Sequence, residues 1–201
     1  YNPLKTIENM YQKVRSRQLN LNAYLSWDIL KDLAFKATFA YTWRQDRNEA
    51  FNNADTYWGD PRYSAKHSNG NFSFREWDGW SNEYTLTYKK RVKSHNITAM
   101  LGASMNSKTI STLGASSTMV PWDGLGFWGI SNGTPDKVTS TNFEDRMMSY
   151  FARFNYDWKS RYLMTATMRA DGSSRFPYHK WGYFPSASFG WRVSEEAFMQ
   201  G

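Results

Sequence analysis

The 201-residue chain has no cysteine, so neither disulfides nor thiolate chemistry can enter its function. No stretch approaches the ~18 apolar residues that a membrane-crossing helix needs, which excludes a helical membrane protein. Its only histidines, His67, His95 and His179, stand far apart without metal-ligand spacing, so neither a metal site nor a cofactor is expected. No Ser, His and Asp set is spaced for nucleophilic catalysis, and no carboxylate pair stands out for glycoside hydrolysis. The chain is therefore not expected to be an enzyme. Gly124-Leu125-Gly126-Phe127-Trp128-Gly129 has the spaced glycines of a dinucleotide loop, but that pattern acts only between a strand and a helix. Here it runs into Ser131-Asn132-Gly133-Thr134-Pro135, which is turn chemistry.

The net charge of +7 and pI near 9.5 would suit an anionic partner if the basic residues clustered. The densest group, Lys89-Lys90-Arg91-Val92-Lys93, fills one short turn and reads as solvated. Nucleic-acid binding needs a basic stripe and a recognisable module, and neither is present.

Aromatic residues make up 18% of the chain, with 10 Trp, 13 Tyr and 13 Phe. The mean hydropathy is nevertheless −0.73. Both hold at once when half of each strand faces lipid and half faces a wet lumen. Seven stretches alternate apolar and polar residues with period two, at about 18–29, 33–44, 80–89, 95–106, 146–158, 162–171 and 181–193. Connections at 30–32, 90–94 and 159–161 are short, those at 45–79 and 107–145 are long, and 172–180 is intermediate. That rhythm predicts antiparallel strands of a transmembrane β-barrel, with tight periplasmic turns and long extracellular loops. Strand polarity would run down-up-down-up-down-up-down.

One face of every strand carries no charge: Leu19, Leu21, Ala23, Leu25 and Trp27 in the first, Leu33, Phe35, Ala37, Phe39, Tyr41 and Trp43 in the second. Tyr84, Leu86 and Tyr88 continue it, as do Ile97 to Met105, Met148 to Trp158, Tyr162 to Ala170 and Trp181 to Val193 at alternate positions. The opposite faces hold Asp28, Lys36, Arg44, Glu83, Arg153, Asp157, Arg169 and Asp171. A charge facing lipid costs about 2–4 kcal/mol at mid-bilayer, which accounts for the exclusion. Trp27, Tyr88, Trp158, Tyr162 and Trp191 would form a lower aromatic belt, and Trp43, Trp80, Trp181 and Tyr183 an upper one. A soluble β-sandwich also alternates, but its strands average five or six residues, against the ~9–11 of a tilted membrane span.

The long loops are rich in aromatics beside Asp, Asn and Arg, which suits carbohydrate or peptide capture by stacking and edge hydrogen bonds. Candidate substrate contacts are Tyr57, Trp58, Trp77, Trp122, Phe127 and Trp128, with Arg44, Arg153 and Arg169 on the inner wall. Packing of the loops on each other is the alternative for the aromatics. For the arginines, and for Lys36, it is pairing with Asp157, Asp171 or a carboxylate on a neighbouring strand.

Tyr1 follows no initiator Met, basic n-region or apolar h-region. Single-chain bacterial barrels have even strand numbers, so seven strands suggest an excerpt.

Arg169-Ala170-Asp171-Gly172-Ser173-Ser174-Arg175-Phe176, followed by Trp181-Gly182-Tyr183-Phe184-Pro185-Ser186-Ala187-Ser188-Phe189-Gly190-Trp191-Arg192-Val193-Ser194-Glu195-Glu196, resembles the SusC/RagA family of TonB-linked outer-membrane transporters. Asn2-Pro3-Leu4 and the turn Leu30-Lys31-Asp32-Leu33-Ala34-Phe35 are similar to it less specifically. Pro177-Tyr178-His179-Lys180 departs from the Gly- and Asn-containing link expected there. The resemblance implies an all-β fold, part of a barrel of about 22 strands with a luminal plug, seven of the strands lying in this chain. It implies a SusD-like surface lipoprotein as lid and energy from the TonB–ExbB–ExbD complex. The plug and TonB box would lie outside residues 1–201, which would supply outer-membrane wall and two capture loops. The expected function is TonB-dependent import of an oligomeric nutrient, glycans first and peptides second. A passive porin or structural barrel and a surface glycan-binding module are the alternatives.

Overall fold

A computed structural model describes residues 2–199. Seven strands lie in one antiparallel sheet in chain order, β1 (Met10–Leu30), β2 (Leu33–Asn52), β3 (Asn69–Val92), β4 (His95–Thr118), β5 (Thr134–Trp158), β6 (Tyr162–Ser173) and β7 (Trp181–Trp191). Every expected strand is present, but β1 to β5 run well past their expected ends. The long connections shrink to 53–68 and 119–133, where 45–79 and 107–145 were expected. The added lengths mix polar and apolar residues without alternation, as in Gln45-Asp46-Arg47-Asn48-Glu49, and so leave no period-two signal. The last strand stops at Trp191, two residues early, and Val193 begins a short 3-10 turn. β4 begins at His95, as the stretch at 95–106 predicts.

The tight turns need unusual backbone. Lys93, Lys159 and Ser160 have positive φ of 53°, 52° and 55°, the left-handed geometry that matches a short hairpin turn to the twist of its strands.

A helix not foreseen from the pattern, α1 (Pro3–Asn9), precedes β1. Asn2 caps it by accepting a 3.0 Å hydrogen bond from the Leu4 amide, and Pro3 sits in the first turn, where it loses no hydrogen bond.

The register on the C-terminal side tests the two-faced reading directly. Across β5, β6 and β7 the rows Trp158–Tyr162–Trp191, Tyr156–Met164–Phe189, Phe154–Ala166–Ala187, Ala152–Met168–Pro185 and Tyr150–Ala170–Tyr183 lie side by side. The alternate rows are Asn155–Thr165–Ser188, Arg153–Thr167–Ser186, Phe151–Arg169–Phe184 and Ser149–Asp171–Gly182. Residues directly opposite in antiparallel strands share a face, so the apolar set occupies one side and the charges the other.

The chain divides into two compact units. One comprises the segment up to Leu19 with Thr42–Asp78 and Thr109–Glu144; the other comprises Asn20–Tyr41, Gly79–Lys108 and everything from Asp145. The first has a small core in which Phe51, Val120 and Phe127 are buried, with Phe72 and Ile130 against them. The 119–133 connection is pinned there by Val120 N–H to the Ser68 carbonyl (2.9 Å) and Ser117 Oγ to the Ile130 carbonyl (2.7 Å). Gly70 lets this cover approach: a Cβ there would lie 2.5 Å from Ile130 Cγ2 and 3.0 Å from the Ala50 carbonyl. No helix among the described residues is long and apolar enough to cross a membrane.

Candidate functional site

In the first unit the 53–68 connection is a compact polar knot. Thr56 is fully buried; its hydroxyl accepts the Gly59 amide (3.0 Å) and donates to the Asn53 carbonyl (2.8 Å). Asp60 accepts from both the backbone amide (2.8 Å) and the guanidinium (2.5–3.0 Å) of Arg62. Those bonds hold the Asp60 carboxyl down at about 2. Helix α1 docks on the knot through Lys5 to Asp55 (2.5 Å) and through Thr6 Oγ1, which accepts the Tyr57 amide at 3.0 Å.

This framework presents aromatics. Tyr57 stacks on Tyr63 at 5.5 Å between centroids and meets Trp58 edge-on at 6.0 Å. A polar cleft of about 330 Å³ beside Tyr57 and Tyr63 is lined by Lys5, Asp55, Asp60 and Arg62. Trp58 is half exposed, and its carbonyl accepts from Asn69 Nδ2 at 2.8 Å. Of the three aromatics expected in the other connection, Trp122 and Trp128 are 65% and 72% exposed, whereas Phe127 is only 7% exposed. Phe127 stacks on Tyr11 (5.9 Å) and packs in the core cluster. Beside it lies a network the sequence reading missed: Tyr11 OH donates to buried Glu49 (3.0 Å), Arg47 pairs with the same carboxylate, and the Arg47 guanidinium lies over Phe74 (5.2 Å) and Trp128 (5.9 Å). Its residues fall in strand that carries no alternation, so no pattern marked them.

Trp77 lies on β3, not in a loop, and is half buried between two cations, Arg44 at 4.9 Å and Arg75 at 5.2 Å. Arg44 also forks onto Asp46 through Nε (3.0 Å) and Nη2 (2.8 Å), and Ser16 donates to the same carboxylate at 2.6 Å. These bonds lower the Asp46 carboxyl below its ordinary value, Arg44 most of all. Arg44 and Trp77 are thus brought together, and the carboxylate that Arg44 pairs with lies on its own strand, not on a neighbouring one as expected.

In the second unit Arg153 is exposed opposite Thr167. Arg169 pairs with Asp171 (2.7 Å), reaches Ser149 Oγ (3.3 Å) and covers the Phe151 ring (5.9 Å). Asp145, Arg175, His179, Lys180, Trp181 and Phe184 line a cleft of about 620 Å³ at the β6–β7 connection. Three residues of the expected lower belt form a ladder of rings here with His95, which stacks on Trp158 at 6.0 Å, Trp158 on Tyr162 at 5.3 Å, and Tyr162 on Trp191 at 6.5 Å. Glu196 ties its end, accepting from Tyr162 OH (2.6 Å), Trp191 Nε1 (3.1 Å) and Arg161 (3.1 Å).

No group of three or more acidic or histidine side chains among the described residues is placed to hold a metal ion. What the arrangement offers is exposed ring faces beside carboxylates, amides and guanidinium groups, the chemistry of a binding surface.

No protein-family model matches the chain. It is 30% identical over 183 residues to TonB-dependent receptor P26 of Formosa agariphila, covering 88% of this chain and 18% of that protein. TonB-dependent receptor SusC of Bacteroides thetaiotaomicron is 53% identical over 55 residues, 27% of this chain and 6% of SusC. Among solved structures, the RagAB peptide transporter superposes with a TM-score of 0.80 at 23% identity, over 96% of this chain and 22% of that one. The chain spans about a fifth of the length of the full-length receptors it matches.

Proposed function

Because this chain matches a segment of the barrel of SusC/RagA-type TonB-dependent receptors, we propose that it is wall and extracellular capture surface of an outer-membrane importer for oligomeric nutrients, glycans first and peptides second. The observation that carries the reading is the register of β5, β6 and β7 from Met148 to Trp158, which keeps the apolar rows on one side and Arg153, Asp157, Arg169 and Asp171 on the other. Lipid against one face and a wet lumen against the other is the setting that rewards such a division. The length agrees. On β2 the uncharged face from Leu33 to Trp43 spans ten residue steps, roughly 34 Å along the strand, or about 26 Å across a membrane at ~40° tilt. The apolar band of outer-membrane barrels is ~25 Å tall.

In this reading the tight turns are periplasmic and strands β1 to β5 continue beyond the membrane to carry the 53–68 and 119–133 connections outside. Tyr57, Trp58, Trp122 and Trp128 stack on the nutrient, while Trp77, Arg44, Arg153 and Arg169 line its path. Phe127 holds the second connection in shape. A SusD-like lipoprotein closes over this surface, and TonB, ExbB and ExbD act through a plug supplied by the rest of the receptor.

Uptake of labelled oligosaccharides and oligopeptides by cells carrying the full receptor tests this. Import should stop when the proton-motive force is collapsed, and Tyr57→Ala with Trp58→Ala should weaken capture about tenfold or more, since each stacking contact contributes on the order of 1 kcal/mol. Uptake that persists without the proton-motive force would favour a passive porin. Glycan hydrolysis by the purified protein would favour a surface glycan-processing module.

A further inference from the structure

The face that is apolar from Leu19 to Ile29 on β1 changes character abruptly toward the start of the strand. Continuing the same alternation past Leu19 gives Arg17, Arg15 and Lys13. The parity is fixed by contacts on both faces. Tyr11, of the same parity, stacks on Phe127 in the core cluster, whereas Ser16, of the other parity, bonds Asp46 beside Arg44 on the charged wall. Tyr24, again of the other parity, lies under Lys36 of that wall. Lys13, Arg15 and Arg17 are all exposed, and none has a carboxylate partner among the described residues.

Three cations at alternate positions of one strand face stand roughly 7 Å apart. Like charges so placed repel and are best neutralised by anions spaced along the same line. Their position names the anion. On β1 the apolar face from Leu19 to Ile29 covers ten residue steps, the same ~25 Å band as on β2, so Arg17 begins where the hydrocarbon ends. Phosphate-bearing lipid headgroups of the outer leaflet occupy that level, and guanidinium forks match phosphate oxygens in pairs. We propose that Lys13, Arg15 and Arg17 form a lipid-phosphate site on the outside of the barrel that seats the receptor at a fixed depth. This rests on the membrane-barrel reading given above.

The test uses the full receptor in detergent, with native mass spectrometry counting bound outer-leaflet glycolipid in its phosphorylated and dephosphorylated forms. Wild type should retain the phosphorylated lipid at least tenfold better than the dephosphorylated one, with affinity falling steeply with salt. The triple variant Lys13→Gln, Arg15→Gln, Arg17→Gln should lose that preference while still assembling in the outer membrane and importing nutrient. Equal retention by wild type and the assembled variant would overturn the proposal, as would displacement of the lipid by millimolar inorganic phosphate. Wild-type receptor absent from the outer-membrane fraction would instead bring down the barrel reading, and this site with it.

Discussion

At the scale of single residues, two arginines of the charged faces are held alike. Arg44 and Arg169 are held by carboxylates two positions along their own strands and lie over aromatic rings, so each is fixed in place while keeping donors exposed. Phe39 and Phe154 occupy the uncharged face and are exposed there. Phe39→Arg or Phe154→Arg should therefore cost about 2–4 kcal/mol near mid-bilayer and impair assembly. Arg44→Ala should leave assembly intact and alter transport alone. Heat-modifiable gel mobility of the receptor in outer-membrane fractions would compare them; equal defects for both kinds of change would show that the faces are assigned the wrong way round.

A second residue-scale expectation follows from Asp60. Its folded-state value of about 2 lies below the ordinary 3.8, so its bonds to Arg62 stabilise the 53–68 knot fully above about pH 4. That contribution fades as the pH falls toward 2. Hydrogen exchange of the Gly59, Arg62 and Tyr63 amides should stay slow down to about pH 3, and Asp60→Asn should show faster exchange already at pH 7. Protection lost at pH 4 to 5 in the wild type would contradict the clamp.

At the scale of elements, the seven strands were legible because a lipid-facing side and a wet side force strict alternation wherever both solvents are present. The belt residues Trp158, Tyr162 and Trp191 were legible for the same reason, and the structure stacks them. What the sequence hid lies beyond that band. There Arg47, Glu49 and Asn71 are strand residues in surroundings where neither face must be apolar, so they read as loop. Phe127 read as one more loop aromatic, because burial under a cover made of its own connection depends on contacts with Tyr11 and Phe51 far away in the chain. The cover gives a direct test. Removing a buried ring of this kind costs about 3–5 kcal/mol, so Phe127→Ala should loosen residues 119–133 to protease. Trp122→Ala, exposed on the same connection, should not. On the charged wall, a Cβ at Gly102 would lie 2.3 Å from the Phe151 ring, so Gly102→Val should disturb the pairing of β4 with β5 by an overpacking cost of about 1–3 kcal/mol. An unchanged thermal midpoint of the receptor would show that the ring swings aside freely.

At the scale of the whole molecule, the sheet presents to its surroundings what a soluble domain hides. Leu19, Leu21, Leu25, Trp27, Phe39, Leu101, Phe154, Met164, Met168, Tyr183, Phe189 and Trp191 are all exposed on the uncharged faces of their strands, while the buried apolar core among the described residues is Phe51, Val120 and Phe127. Half-burying a large apolar side chain is worth on the order of 1 kcal/mol, so leaving this set in water forgoes an amount comparable with the ~5–15 kcal/mol of net stability of an ordinary domain. Strands β1 and β7 also end the sheet with unpaired backbone along their outer edges, and an apolar sheet with open edges templates aggregation. Residues 1–201 expressed alone in water are therefore expected in inclusion bodies, and refolding should require detergent micelles. Analytical ultracentrifugation and thermal melting of the segment without detergent would decide it. A monodisperse, cooperatively melting monomer would mean that the uncharged faces find cover within the chain itself, and the membrane assignment of that surface would fall with it.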